Sequence, residues 1–172
     1  HTRAPFAVMG QCLDVGVGMV MQPVDAIAEP ARQGMYIFFS SDNGGRASLR
    51  VKRIRSHGDA RREIPQTHPL RGGKGSVYEG GVRVPFLAVG PGVRPGTSHA
   101  PVTLLDLLPT LADLAGAAAP GGRALDGGSI APLLRGNHTA TIGRRAPYQL
   151  WHQAGEPQPQ HAVRDEGANS GR

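Results

Sequence analysis

The chain is poor in the residues that would settle its class most cheaply. It has one cysteine, Cys12, so no internal disulfide framework can support the fold, and cysteine usage assigns no redox compartment. Aromatic residues make up 5% of the sequence, with one tryptophan. No apolar run approaches the ~20 residues that a membrane-crossing helix needs, so no membrane span is expected. The seven histidines show no metal-ligand spacing. His57, His68, His99, His138, His152 and His161 stand in polar or proline-rich contexts that favour exposure. Ser40 and Ser41 do not sit in a Gly-x-Ser-x-Gly elbow, which argues against a serine hydrolase. The chain starts at His1 rather than Met and carries no signal-peptide pattern, so a processed front or a piece of a longer chain is expected.

What is present is a 172-residue chain, 39% apolar, long enough for one domain with a core. Glycine (25) and proline (15) are abundant and imply many loops. Acidic residues are outnumbered 13 to 19, giving a net charge of +6. Much of the excess lies in Arg50, Lys52, Arg53, Arg55, Arg61 and Arg62. Such a run could meet a polyanion. No aromatics interleave it to stack bases, so a solvated surface loop is expected and nucleic acid is not.

Phe6, Met9, Leu13, Val17, Val20, Val24 and Ile27 recur at spacings of three and four, the period of one helix face. Gly10, Gly16 and Gly18 weaken that helix and Pro23 should kink or end it. Cys12 lies at the edge of the stripe and reads as a small packing residue. Residues 35–40 (MYIFFS) and 83–89 (RVPFLAV) read as strands. Residues 46–69 show no period and read as a long loop. Leu104, Leu105, Leu107, Leu108, Leu111 and Leu114 form the strongest helical stripe, with Asp106 as a cap, Pro109 in the first turn and Gly116 at the end. Residues 117–128 read as a linker, 130–134 as a helical turn, and 148–152 and 162–164 as short strands ahead of a polar tail.

Two spots could carry chemistry. Asp42 and Asn43 follow the first strand on a glycine turn, Ser41-Asp42-Asn43-Gly44-Gly45. A carboxylate and an amide oxygen are hard ligands, suited to calcium or magnesium. The same residues are also those of a plain turn, and only their place at a strand's carboxyl end favours a ligand site. Lys74 stands 32 positions after Asp42 in a second glycine-rich stretch, where the backbone can approach an anion closely. The glycine spacing is not that of a phosphate-binding P-loop. A flexible surface loop is the alternative for Lys74.

Taken in order, these segments resemble the formylglycine-dependent sulfatases of the alkaline phosphatase superfamily. The resemblance is carried by residues 5–20 (PFAVMGQCLDVGVGMV), 37–45 (IFFSSDNGG), 69–85 (PLRGGKGSVYEGGVRVP) and 106–116 (DLLPTLADLAG), then by 125–129 (LDGGS), 132–134 (PLL), 149–152 (QLWH) and 162–164 (AVR). It implies an α/β fold: a partial alkaline-phosphatase-like sheet with flanking helices over residues 1–116. A linker and the start of a small antiparallel carboxyl-terminal sheet would follow over 117–172. It implies that Asp42 and Asn43 supply calcium ligands and that Lys74 contacts sulfate. It also implies a sulfate ester as substrate, a sulfated carbohydrate or an aryl sulfate, and an exported, periplasmic or lysosomal-type compartment. Asp-Asn favours calcium over the zinc of the related phosphatases, whose turn resembles Asp-His.

The chain also departs from that pattern. The family's nucleophile arises from cysteine in Cys-x-Pro/Ala-x-Arg, whereas Cys12 precedes Leu13-Asp14-Val15-Gly16. The amino-terminal aspartate pair and the upstream lysine and histidines are absent, and Pro23 and Pro30 interrupt segments that are smoother in the family. The calcium site is therefore expected to be incomplete, and formylglycine is expected only upstream of these residues. The parent chain would be the sulfatase and this segment inactive alone. A non-catalytic basic binding module built on the arginine run, or a degenerate remnant, is the alternative.

Overall fold

The computed structural model describes residues 3–28, 31–46, 67–118, 124–144, 148–151 and 161–164. The arginine run between Arg50 and Arg62, the tail from Asp165, His1, His57 and His152 lie outside the described residues.

The first periodic stretch folds as one helix, α1 (Arg3–Asp25). Pro23 neither kinks it midway nor ends it at once. It sits in the last turn, and the helix closes two residues later through bonds from Ala26 N–H to Gln22 and Ile27 N–H to Val24. At that place a missing N–H removes only one terminal bond. The stripe that predicts α1 is laid bare: Met9 and Val20 are 69% and 70% exposed. Cys12 is exposed too, which corrects its reading as a packing residue.

A single 3₁₀ turn (Ala31–Gly34) leads into β1 (Ile37–Ser40). Its partner is β2 (Phe86–Val89), reached after a short helix α2 (Glu79–Val82) that the glycine-rich sequence gave no reason to expect. β1 and β2 run antiparallel, with Ile37 opposite Val89 and Ser40 opposite Phe86. Diagonal packing of Phe38 on Phe86, ring centroids 6.1 Å apart and tilted 38°, helps hold that register. Tyr36 adds a lock at the other end. Its hydroxyl donates to the Pro91 carbonyl at 3.0 Å, and its ring lies where a Cβ on Gly90 would come within 2.3 Å.

The second half is organised by Asp106. A 3₁₀ turn (Leu104–Asp106) runs into α3 (Leu107–Leu114). Thr103, not Asp106, caps this entry by a reciprocal capping box. Asp106 stands at the start of α3 but makes no capping bond to it. Its fully buried carboxylate instead accepts from the N–H groups of Thr103 (2.9 Å) and Gly128 (3.0 Å) and from Arg144 Nε (2.8 Å) and Nη2. At the far end, Gly116 takes φ +63°, with bonds from Gly116 N–H to Asp113 and Ala117 N–H to Ala112. This is the Schellman ending for which glycine is suited. The buried Thr110 hydroxyl receives the Ile130 N–H at 2.9 Å and so ties α3 to α4 (Ala131–Leu134). Among the described residues the buried apolar cluster is small: Ile130, Leu133 and Ile142, flanked by Phe86, Val102 and Leu134. Phe86 thereby connects the strand pair to this core. Finally, β3 (Tyr148–Trp151) and β4 (His161–Arg164) pair antiparallel, as expected for the start of a carboxyl-terminal sheet.

Candidate functional site

The turn after β1 and the loop before α2 are packed main chain against main chain. Gly44 N–H donates to Gly81 O at 2.8 Å, Lys74 N–H to Gly45 O at 2.6 Å, and Gly80 N–H to Arg71 O at 2.8 Å. There is no room for side chains at this seam. A Cβ on Gly44 would fall 2.0 Å from Gly80 O, and one on Gly81 would fall 2.1 Å from Ser76 O. Gly72 takes φ +76° beneath Tyr78. The glycines that read as loop signals are in fact what lets two distant segments touch.

Side chains brace the outer part of the same loop. Thr67 donates its hydroxyl to Gly72 O at 2.6 Å, and Ser76 donates to Gly73 O at 2.9 Å. The Arg71 guanidinium stacks on the Tyr78 ring, 3.8 Å from its centroid. Lys74 is thus held by its own backbone and by neighbours on both sides, with its side chain exposed.

Asp42, Asn43 and Lys74 all line one open cleft of about 550 Å³, so the structure brings together the residues singled out from sequence. Leu13 of α1, Phe39 and Pro85 supply its apolar wall. The Asn43 amide donates through Nδ2 to Asp42 Oδ1. That leaves Asn43 Oδ1 buried with no hydrogen-bond donor among the described residues. A buried acceptor without a partner is uncommon and points to a missing donor or cation. The donor set fits a hard cation in kind, with a carboxylate and an amide oxygen side by side. It is also partial: among the described residues no three His, Cys, Asp or Glu side chains gather to hold a metal.

Two cleft residues went unnoticed in the sequence, Arg46 and Arg83. Their signal was available, since Arg46 directly follows Gly44-Gly45 and Arg83 stands two residues after Gly80-Gly81, but charge so close to turn residues reads as solvent-facing. Arg83 comes no nearer than 4.0 Å to the carboxylate of Glu79, one turn earlier, and is 66% exposed there. Asp106 and Arg144 were also missed as partners. The 38 positions between them leave no local pattern to read. Of the histidines, His68, His99 and His138 are exposed, as expected.

Known proteins resemble this chain over the same region. The family model described as Sulfatase matches residues 19–117, which include Asp42, Asn43 and Lys74. Arylsulfatase A of Bos taurus is 42% identical over 135 residues, 78% of this chain and 24% of that protein. Steryl-sulfatase of Mus musculus is 41% identical over 127 residues, covering 73% and 19%. A protein of Formosa agariphila named Sulfatase is 34% identical over 146 residues, covering 78% and 24%. The chain spans about a quarter or less of the length of these relatives.

Proposed function

Since the chain belongs to the sulfatase family, we propose that it contributes one side of a sulfate-ester hydrolase site, with Asp42 and Asn43 as calcium ligands and Lys74 as a sulfate contact. The observation that carries this reading is the sharing of one cleft by Asp42, Asn43 and Lys74, with Asn43 Oδ1 buried and unpartnered. Hydrolysis breaks the ester S–O bond and returns an alcohol and sulfate. A calcium ion held there would supply Lewis-acid polarisation of a sulfate oxygen.

The roles that fall to this chain's own residues are charge neutralisation and a share of the cation site. Lys74 presents an ammonium to the sulfate and offsets the negative charge that builds on its oxygens as the bond breaks. Its backbone bond to Gly45 anchors the loop that carries Lys74 against the turn that carries Asp42 and Asn43. Asp42 and Asn43 provide two of the roughly six to eight oxygens that calcium takes. The other ligands, and the nucleophile, come from elsewhere in the whole protein. Cys12 lies on exposed α1 in a sequence context unlike the nucleophile motif. Residues 1–172 alone therefore bind sulfate weakly and do not turn over substrate.

The test is hydrolysis of p-nitrophenyl sulfate by the full-length protein that carries this chain. Calcium-dependent turnover is expected, with kcat/KM falling by about 10²–10³ in Lys74→Ala and becoming insensitive to calcium in Asp42→Ala. A full-length protein with no turnover in calcium would sink the reading. Turnover by residues 1–172 alone would overturn the claim that they are inactive.

A further inference from the structure

Three basic side chains, Arg46, Lys74 and Arg83, line the cleft against one carboxylate, Asp42. That is one ammonium and two guanidinium groups around a pocket meant, in the reading above, for a sulfate monoester. Such an ester carries a single negative charge. Lys74 and a cation at Asp42 and Asn43 already answer it, which leaves two guanidinium groups over.

Among the described residues, the local geometry does not explain them away. Arg83 and Glu79 approach to 4.0 Å, the outer limit of an ion pair, with side chains 66% and 42% exposed. A pair of that kind contributes little and yields readily to a better-placed anion. Arg46 directly follows Gly45, whose carbonyl receives the Lys74 N–H, so its backbone is anchored at the cleft floor while its side chain is exposed. Guanidinium is the group suited to bidentate contact with a planar carboxylate or with two oxygens of a sulfate. Leu13, Phe39 and Pro85 offer the apolar surface on which a carbon skeleton would rest between two charged ends.

We infer that Arg46 and Arg83 form a second anion subsite. The substrate class it selects is a sulfate ester whose alcohol portion carries a further anionic group, a carboxylate or a second sulfate. This rests on the sulfate-ester reading and narrows its substrate. Arg46 and Arg83 are specificity residues here, since they touch the second anionic group and not the bond that breaks.

Calorimetric titration of the full-length protein with three non-hydrolysable probes tests it: benzenesulfonate, benzene-1,3-disulfonate and 3-sulfobenzoate. At low ionic strength, one or both dianions bind about tenfold more tightly than benzenesulfonate, and which of them does so separates sulfate from carboxylate recognition. The preference shrinks as salt is added, as expected for exposed charges. In the Arg46→Gln/Arg83→Gln double variant the dianion-to-monoanion ratio falls to about one, with circular dichroism reporting the fold. The single variants, each lowering the ratio in part, serve if the double variant does not fold.

Equal binding of monoanion and dianions by the unaltered protein, or a preference that survives both substitutions, overturns the inference. Failure of the parent reading looks different: benzenesulfonate affinity would then be unchanged in Lys74→Ala. Absence of binding by every probe overturns both.

Discussion

The main-chain N–H of Lys74 donates to the carbonyl oxygen of Gly45 at 2.6 Å. Residues 29 positions apart in sequence are joined by that one bond, and the loop carrying Lys74 meets the turn carrying Asp42 and Asn43, all three lining one cleft.

Gly44→Ala is expected to wedge the two loops apart, because its Cβ would lie 2.0 Å from Gly80 O. Overpacking of this sort costs about 1–3 kcal/mol, read as a lower midpoint in urea unfolding of the full-length protein. Gly16→Ala is the matched control. A Cβ there meets nothing within 4 Å on α1, so the change should stabilise by roughly 0.5–1 kcal/mol. Equal effects of the two substitutions would refute the interlocked seam.

Asn43→Leu removes the buried, unpartnered oxygen while keeping a similar volume. In the absence of calcium it should be neutral or mildly stabilising, because a buried acceptor without a donor is unfavourable. If calcium binds as proposed, the unaltered protein should gain stability according to its affinity, about 2.7 kcal/mol at a hundredfold excess over Kd. The variant should lose most of that gain. Thermal melts with and without a chelator check it. A calcium-dependent rise that is the same in both proteins would remove Asn43 from the ligand set.

Asp106→Ala should be among the most damaging changes available. It removes the carboxylate that faces Arg144, whose side chain is 4% exposed, and leaves the Thr103 and Gly128 N–H groups without that acceptor. Breaking one side of a buried pair costs about 3–5 kcal/mol. Replacing both partners, as in Asp106→Leu/Arg144→Met, should cost clearly less than the sum of the single changes. Additive losses in a double-mutant cycle would mean that the two residues are not coupled.

Gly90→Ala is expected to push Tyr36 off its contact, since the new Cβ would lie 2.3 Å from the ring. The loss should exceed that of Tyr36→Phe, which removes only an exposed hydrogen bond to Pro91 and costs about 0.5–1.5 kcal/mol. The reverse order in chemical unfolding would show that the ring is free to move aside.

Much of the fold is local enough to be legible. α1, β1, β2, α3 and the turn at α4 all announce themselves through period, composition or the glycine after α3. What the sequence hides is anything carried by long-range contact. The antiparallel pairing of β1 with β2 depends on how the segment between them returns, which no pattern encodes. Asp106 looks like a cap because aspartate before an apolar run usually is one. Its role as an acceptor for residues 103, 128 and 144 exists only once the chain has closed on itself. At the candidate site the residue types of Asp42, Asn43 and Lys74 suggest chemistry, whereas their meeting in one cleft rests on glycines whose use in close packing cannot be told from use in turns.

The seam between residues 44–45 and 71–81 is written almost wholly in main-chain atoms. Its fit is therefore indifferent to the identity of the side chains that project from it into the cleft. Positions such as Arg46 and Arg83 can be exchanged for residues of other charge or size while the loops still close and Lys74 keeps its post. On the reading proposed above, a scaffold of this kind would separate inheritance of a reaction from choice of a substrate, and would let the second change at little risk to the first.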